Sequence, residues 1–484
     1  MKTRIPVVLA LAAALALAAC APAQTADAPQ NGQTAESAQT AGTAPAQETA
    51  ALPAVAGELY ALAEDGAQTC LFNAGDCGYQ MLWQNDHGLV TVIDYAAAEQ
   101  RVLCSVPGCD HASEDCPAYF PGIRHHYKLF AAGDAVYVYK QWAGEYMPAT
   151  WEEYYETNLA GTLAEDAQTF GQTPEEYLAW QRAVYRSSTD PASLMVITGG
   201  GAAKHILELS QNLGSDSILR WCDGAALYGY SSGALTMGAR TGYRVSLADG
   251  SVTEFPLQEN EWPCGVMGQN LLVDQFLTDA PLPDPDQNRE AYDAALQNGY
   301  YAYYLLDPAT GVRTPLLVDR MIVSDTGFRG QAGGWLYFAT MQRDGAGVLT
   351  RIGLRVYDTA TGQWQDIAGA NGNILDAEAR ALPGAAAQEG RWLWLESAAE
   401  TPEAPNTAWV LDRQSGERYA VAQTIEAAAP VDRTMFAAAV TDDGRFLLPL
   451  REKEPYVADY DYGLIAIDAF LQGSTDYTPV QMLP

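Results

Sequence analysis

Between Cys104 and Cys116 the chain reads "CSVPGCDHASEDC", three cysteines and one histidine within a single short loop. Three thiolates and an imidazole make a complete tetrahedral donor set for structural zinc, with no position left over for a reacting water. The order is C-x4-C-x-H-x4-C over Cys104, Cys109, His111 and Cys116, which matches none of the paired-knuckle spacings. His111 stands only two residues beyond Cys109, so a metal site demands a tightly curled loop. A disulfide within the loop, or inert thiols in a reducing niche, would use the same residues. All three readings stay open on the sequence alone.

Other candidates fail on order or count, so no catalytic residue is assigned. "GYSSG" from Gly229 to Gly233 fits G-x-S-x-G, but no histidine follows it, and the Ser, Asp, His chain order of an α/β-hydrolase is excluded. "GGGAAK" from Gly199 to Lys204 lacks the spacing of a phosphate-binding loop, and there is no H-E-x-x-H. His125 and His126 are adjacent, and neighbours on a strand point to opposite faces. The acidic stretches "DAPLPDPDQNRE" (Asp279 to Glu290) and "ADYDYG" (Ala458 to Gly463) lack the spacing of a calcium loop and are expected to be solvated. With 60 acidic residues, a carboxylate pair for glycoside chemistry is neither found nor excluded.

These residues have to be positioned by a chain whose start has its own signature. "MKTRIPVVLALAAALALAAC" places Lys2 and Arg4 before a short apolar run, the pattern of a secretory signal over residues 1–19. Its end, Leu17, Ala18, Ala19 and Cys20, resembles the lipobox of bacterial lipoproteins. That resemblance implies lipidation of Cys20, an extracytoplasmic body and a membrane partner reached through the N-terminal lipid. Residues 20–56 are Ala, Thr, Gln and Pro with almost no large apolar side chain, and read as a disordered tether. By flexible-chain scaling its reach is about 30 to 35 Å. The formal charge of −33 argues against nucleic acid and against a basic lipid-binding face, and a monomer is expected. Of 8 cysteines, setting Cys20 aside leaves an odd number. If the loop thiols take metal, Cys70 with Cys77 and Cys222 with Cys264 are available for two disulfides.

Residues 57–484 carry two alternating signals. The first is glycine followed by apolar and aromatic residues, as in "GELYAL", "GDAVYVY", "GAALYGY", "GQNLLV", "GGWLYFA", "GRWLWLE" and "GRFLLPL". Each reads as a turn feeding a buried strand. The second is a strand ending in Asp or Ser with glycine four residues later: Ser210 and Gly214, Ser246 and Gly250, Asp307 and Gly311, Asp358 and Gly362, Asp412 and Gly416. Looser copies surround Asp94 and Asp468. Here the side-chain oxygen accepts N–H bonds inside a hairpin turn that glycine closes. The two signals interleave into seven units of roughly 52 residues once an insertion is set aside, which predicts an all-β fold, a seven-bladed β-propeller, with six or eight blades still open.

Alternating "GxxLY" strands and "D-x-x-T-G" hairpins behind a lipobox resemble the lipid-anchored propeller lipoproteins of Gram-positive bacteria, and are similar to propellers of the TolB and low-density-lipoprotein-receptor type. The resemblance implies a fold and extracytoplasmic binding of a protein, peptide or glycan, and no reaction. Cysteine-rich segments ending in "CPAY" also occur in those lipoproteins. A polysaccharide hydrolase or lyase built from carboxylates in the propeller funnel is the alternative function.

An insertion over residues 141–200, expected between blades one and two, changes to a helical period. Three capping boxes start it: Thr150 with Glu153, Thr162 with Glu165, and Thr173 with Glu176. In the third helix Tyr177, Trp180 and Val184 share a face and are the expected partner-binding residues. The stretch "LAEDAQTFGQTPEEYLAW" is similar to a helical segment in the peptide-binding arms of trigger-factor-like chaperones. A lid packed on the propeller is the other reading. Cys104 is expected to end the outer hairpin of blade one, which would make its loop a clasp on the connection to blade two.

Overall fold

Turn chemistry sets the period of this fold. Asp307 accepts N–H bonds from Ala309 (2.8 Å) and Thr310 (3.3 Å), and Gly311 closes the turn at φ +71°. Asp358 repeats this with Ala360 and Gly362, Asp412 with Gln414 and Gly416, and Ser246 with Ala248 and Gly250. At the looser copy around Asp94, Ala98 takes the left-handed position itself, at φ 51°. Each of these turns joins the third and fourth strands of a small antiparallel sheet.

The computed structural model describes residues 55–483 except 65–70, 85–86, 123–126, 143–146, 215–216, 232–239, 286, 323–325, 344–348, 368–373, 377–390, 398–406, 428–432 and 454–458. Cys20, Cys70, His125, His126, the signal and nearly all of the tether lie outside the described residues.

The sheets form a β-propeller of seven four-stranded blades. Blade one is Leu71–Asn73, Cys77–Trp83, His87–Asp94 and Glu99–Val102; blade two is Tyr127–Ala132, Ala135–Lys140, Ser193–Thr198 and Ala203–Leu207. Blade three is Ser217–Cys222, Ala226–Ser231, Thr241–Ser246 and Val252–Pro256; blade four is Glu261–Met267, Asn270–Leu277, Tyr300–Leu306 and Arg313–Ile322. Blade five is Thr326–Ala332, Trp335–Arg343, Leu349–Asp358 and Gln363–Ile367; blade six is Ile374–Asp376, Trp392–Ser397, Thr407–Asp412 and Arg418–Val421. Ala439–Val440, Arg445–Glu452, Tyr460–Ala466 and Thr478–Pro479 make blade seven.

Two sequence units are reassigned. "GELYAL" is not the second strand of blade one: Tyr60–Ala61 instead adds a fifth strand to the inner edge of blade three, and Ala63–Glu64 does the same to blade two. The turn feeding the second strand of blade one is at Gly75 (φ 91°). Ser210 follows the outer strand of blade two, whose third-to-fourth turn is made by Gly199, Gly200 and Gly201, all at positive φ. Each misplaced signal had a true counterpart in the same blade, so the count of seven survived.

The helices fall inside blade two, between its second and third strands, rather than between blades one and two. They are α1 (Trp151–Asn158), α2 (Leu163–Thr169) and α3 (Pro174–Thr189). Thr150 caps α1 through Glu153 N–H, and Thr173 with Glu176 makes a full capping box, while Thr162 makes no side-chain cap bond. A further helix, α4 (Arg289–Gln297), occupies the equivalent connection in blade four. In an antiparallel blade the first-to-second and third-to-fourth turns lie at one end and the second-to-third loop at the other. Both helical insertions therefore leave the ring at the same end.

The chain enters at the opposite end. Asp223, in the first turn of blade three, accepts N–H bonds from Ala56 (2.9 Å), Ala225 (2.8 Å) and Ala226 (2.7 Å) and the Tyr228 hydroxyl proton (2.9 Å). Leu59 N–H donates to Gly268 in the matching turn of blade four. From there Tyr60, Leu62 and Ala63 run, buried, between the inner edges of blades two and three. The ring closes between blades seven and one by hydrogen bonds and packing rather than by a shared sheet. Asn73 Nδ2 donates to Val440 O (2.8 Å), Asp442 N–H to Gly75 O (2.9 Å) and Gln481 N–H to Ala98 O (2.8 Å). Replacing Asp223 by Ala removes a charged acceptor from several buried donors and is expected to cost about 2–4 kcal/mol. A guanidinium titration checks this, and an unchanged midpoint would contradict it.

Candidate metal centre

The outer strand of blade one is interrupted rather than ended at Cys104. Glu99–Val102 pairs with Thr91 to Asp94, and the chain returns as Tyr119–Pro121 to pair with His87 to Leu89 on the same partner strand. One residue, Val90, bridges the gap: it accepts from Leu103 N–H (2.9 Å) and donates to Ala118 O (2.9 Å). The whole loop is thus an excursion pinned at its neck, and the connection to blade two begins only after Pro121.

Local chemistry curls the excursion. In "VPGC" the Cys109 N–H donates to Val106 O (3.3 Å), with Pro107 supplying a fixed φ and Gly108 at φ +73° in the turn position that requires it. Asp110 accepts from Ala112 N–H (3.1 Å) across His111, which takes φ 60°. Cys116 N–H donates to Ser113 O (3.0 Å) in a second turn. The donor atoms of Cys104, Cys109, His111 and Cys116 thereby gather within 4.8 Å of one another, with His111 Nδ1 at 3.4 Å from Cys116 Sγ. Cys116 is buried, and the other three are half-buried.

Blade two receives the loop. Ser105 N–H donates to Gly201 O (3.0 Å). Lys204, on the outer strand of blade two, donates to Tyr119 O (2.5 Å) and Cys116 O (3.3 Å), with its ammonium 4.8 Å from the centre of the Phe120 ring. Burial pushes the Cys116 thiol up to about 12, the Cys109 and Cys104 thiols add to the rise, and the Ala118 N–H opposes it. Burial lowers Lys204, against the pull of Cys116 and Glu114. A thiol so raised is a poor nucleophile at neutral pH, and it becomes a thiolate only where a cation takes the place of its proton.

No family model matches the chain. No curated protein matches its sequence either. Solved structures similar to it include the β-propeller domain of the Trilobed protease from Pyrococcus furiosus, described as having an open velcro topology. The TM-score is 0.43 at 8% identity, covering 87% of this chain and 98% of that one. An oligogalacturonate lyase in complex with manganese aligns with TM-score 0.36 and 13% identity over 60% of this chain and 71% of that one. The GH74 xyloglucanase from Xanthomonas campestris gives 0.37 and 11% over 86% and 53%. What those proteins bind or cleave is theirs, and no residue role carries over.

The remaining site residues separate. Cys77, Cys222 and Cys264 are all free thiols, so the expected Cys222–Cys264 disulfide is absent, and Cys70, the expected partner of Cys77, lies outside the described residues. Cys222 accepts from Gly224 N–H and lies beside Tyr60, whereas Cys264 lies beside Asp274 in blade four. Tyr177 is buried with Leu159 and Ala167 in a core private to the three helices, and Trp180 packs on that core, half-buried. Val184 is half-buried too. Of the expected partner face, Tyr177 is thus spent on holding the helices together. Two contributors had no signature of their own. Val90 is an ordinary strand residue, and Lys204 stands in "GGGAAK", where its pairing across blades is visible only in three dimensions.

Gly201 (φ +95°) has no room for a side chain: a Cβ there would lie 2.5 Å from Leu103 O and 2.8 Å from Cys104 Cα. Gly201→Ala is expected to cost about 2–3 kcal/mol through backbone strain and to loosen the loop. Thermal unfolding and the rate of maleimide labelling at Cys104 check it; wild-type values for both would show that the loop is not seated on this turn.

Proposed function

We propose that this chain is a lipid-anchored extracytoplasmic propeller that displays a binding surface for a protein, peptide or glycan and catalyses no reaction. The observation supporting this most is polarity. The described chain enters at the ends of blades three and four that carry Asp223 and Gly268, and both helical insertions leave at the other end. A tether on one side and helices on the other suit a body that holds its insertions away from a membrane. The helical unit has its own core and leaves Phe170 exposed and Trp151 half-buried. Phe170 is 38% exposed and stacks on Tyr177, and Arg182 lies over the Trp151 ring. Such surfaces suit peptide or glycan partners.

Lys140 and Ser193 are paired directly across the base of the insertion, so a two-residue Asn-Gly turn can replace residues 141–192. The shortened protein is expected to keep its β-sheet circular dichroism and to lose partners captured from detergent-solubilised membranes. Cys20→Ser is expected to shift the full chain from the membrane to the soluble fraction. Unchanged capture would mean that the helices are a lid, and unchanged fractionation would remove the anchor.

A second reading, a hydrolase or lyase acting on polysaccharide, is favoured by one group. Asp274, on the second strand of blade four, has its carboxyl pushed up to about 7 by burial, with the Arg240 charge opposing. Its Oδ1 has no hydrogen-bond partner among the described residues. Arg240 lies 4.1 Å over the Trp262 ring, and Tyr230, Tyr301 and Tyr303 feel the carboxylate. A carboxyl titrating near neutrality beside a guanidinium suits a general base for a uronic-acid polymer. On that reading Asp274→Asn lowers release of unsaturated uronate, followed by ultraviolet absorbance, by about 100-fold or more. No product from the unmodified protein on a uronate panel would dismiss it.

A further inference from the structure

We infer that Cys104, Cys109, His111 and Cys116 hold one zinc ion, and that the ion is a structural clasp seating the outer strand of blade one on blade two. The donor chemistry selects the metal: three sulfurs and one imidazole nitrogen favour a soft, tetrahedral cation over magnesium or calcium. Zinc–sulfur bonds of about 2.3 Å place sulfurs about 3.8 Å apart in a tetrahedron. The four donor atoms already lie within 4.8 Å of one another, so closing on an ion needs only small side-chain adjustments.

The position of the ligands argues for a clasp rather than a bystander. Cys104 follows Leu103, the residue just beyond Glu99–Val102, and Cys116 stands two residues before Ala118, which is just ahead of Tyr119–Pro121; Leu103 and Ala118 share Val90 as partner. An ion between Cys104 and Cys116 therefore ties the neck just beyond its last hydrogen bond, while Cys109 and His111 come from the tip. The excursion becomes a closed knuckle on an otherwise continuous strand. Charge is met as well. Three thiols release their protons to solvent as they bind, and the resulting thiolates with the divalent ion carry a net charge of minus one. The Lys204 ammonium, bonded to the carbonyls of Cys116 and Tyr119, supplies the compensating cation from blade two. The same bonds carry the ion's effect across the seam, because the loop they grip is held in shape by the ion. A disulfide would use two of the three sulfurs and leave the third beside it without a role. With four protein donors the ion has no open position, which makes the site structural.

The test uses the intact chain purified without chelator. Elemental analysis is expected to give about one zinc per chain, with three thiols that react only after the ion is removed by a chelator. Replacing zinc with cobalt is expected to give the intense visible bands of a tetrahedral thiolate centre. His111→Cys should keep the metal and shift those bands, while Cys109→Ser, at a half-buried position, should weaken zinc at least tenfold and lower the thermal midpoint. Lys204→Met should retain zinc yet lose part of the stabilisation that zinc confers. Should Cys109→Ser fail to fold, the cobalt spectrum of His111→Cys still decides. Three freely reactive thiols without metal, or a peptide pair linked through two of these cysteines, would overturn the proposal.

Discussion

The inner edge of every blade faces the ring's axis, and an edge carries backbone N–H and C=O groups that must find partners once buried. This constraint governs how the rest of the chain is disposed. At blades two and three it is met by the segment from Tyr60 to Glu64, which extends both sheets by a strand. The Tyr60 hydroxyl donates to Ala131 O, and Lys128 Nζ donates to Leu219 O, so the inner strands of the two blades are cross-tied around that segment. Blades one and seven have no such filler and share no strand. Their junction relies on Asn73, Arg445 and the residues after Thr478, with Gln100 buried beneath Gln481 and Leu483. The ring is thus held by a strand through its middle between blades two and three, and between blades seven and one by side chains together with backbone bonds at Gly75, Ala98 and Gln100.

The turns were legible because their chemistry is local. An Asp whose oxygen caps its own turn, four residues ahead of a left-handed glycine, carries the same meaning wherever it occurs, and Asp307, Asp358 and Asp412 all behave as their spacing implies. The first and last units matched worst because their departures are not local. "GELYAL" has the composition of a blade strand, but its pairing partners lie more than sixty residues away in blades two and three. The helices were legible from their caps, yet not their address. A capping box at Thr173 says where a helix starts and nothing about which two strands it separates. The same limit applies to Tyr177: a shared apolar face on α3 predicts burial against something, and here that something is α1 and α2.

The cysteine cluster divides along the same line. Donor types and count were plain in "CSVPGCDHASEDC", and Gly108 with Pro107 marked the tight turn that brings Cys109 inward. The interruption of a strand opposite a single residue, and the docking of the loop on Gly201 and Lys204, depend on register and on neighbouring blades. They change the meaning of the cluster, because a loop that leaves and rejoins one strand fixes that strand's continuity, whereas a loop after a strand's end would fix only a connection.

The entry strand also has a mechanical meaning. Tyr60 to Glu64 runs antiparallel to the inner strands beside it, so its N-terminal side points along both of them. A pull from that side loads the backbone bonds to blades two and three together, in shear, instead of opening them one at a time as a pull across the sheet would. Ahead of them stand the Asp223 bond to Ala56 N–H and the Gly268 bond to Leu59 N–H, which take the strain first. Because the tension arrives at the axis, the blades are drawn inward around the strand that carries it, and the outer strands, with the cysteine loop among them, stay out of the path of the force.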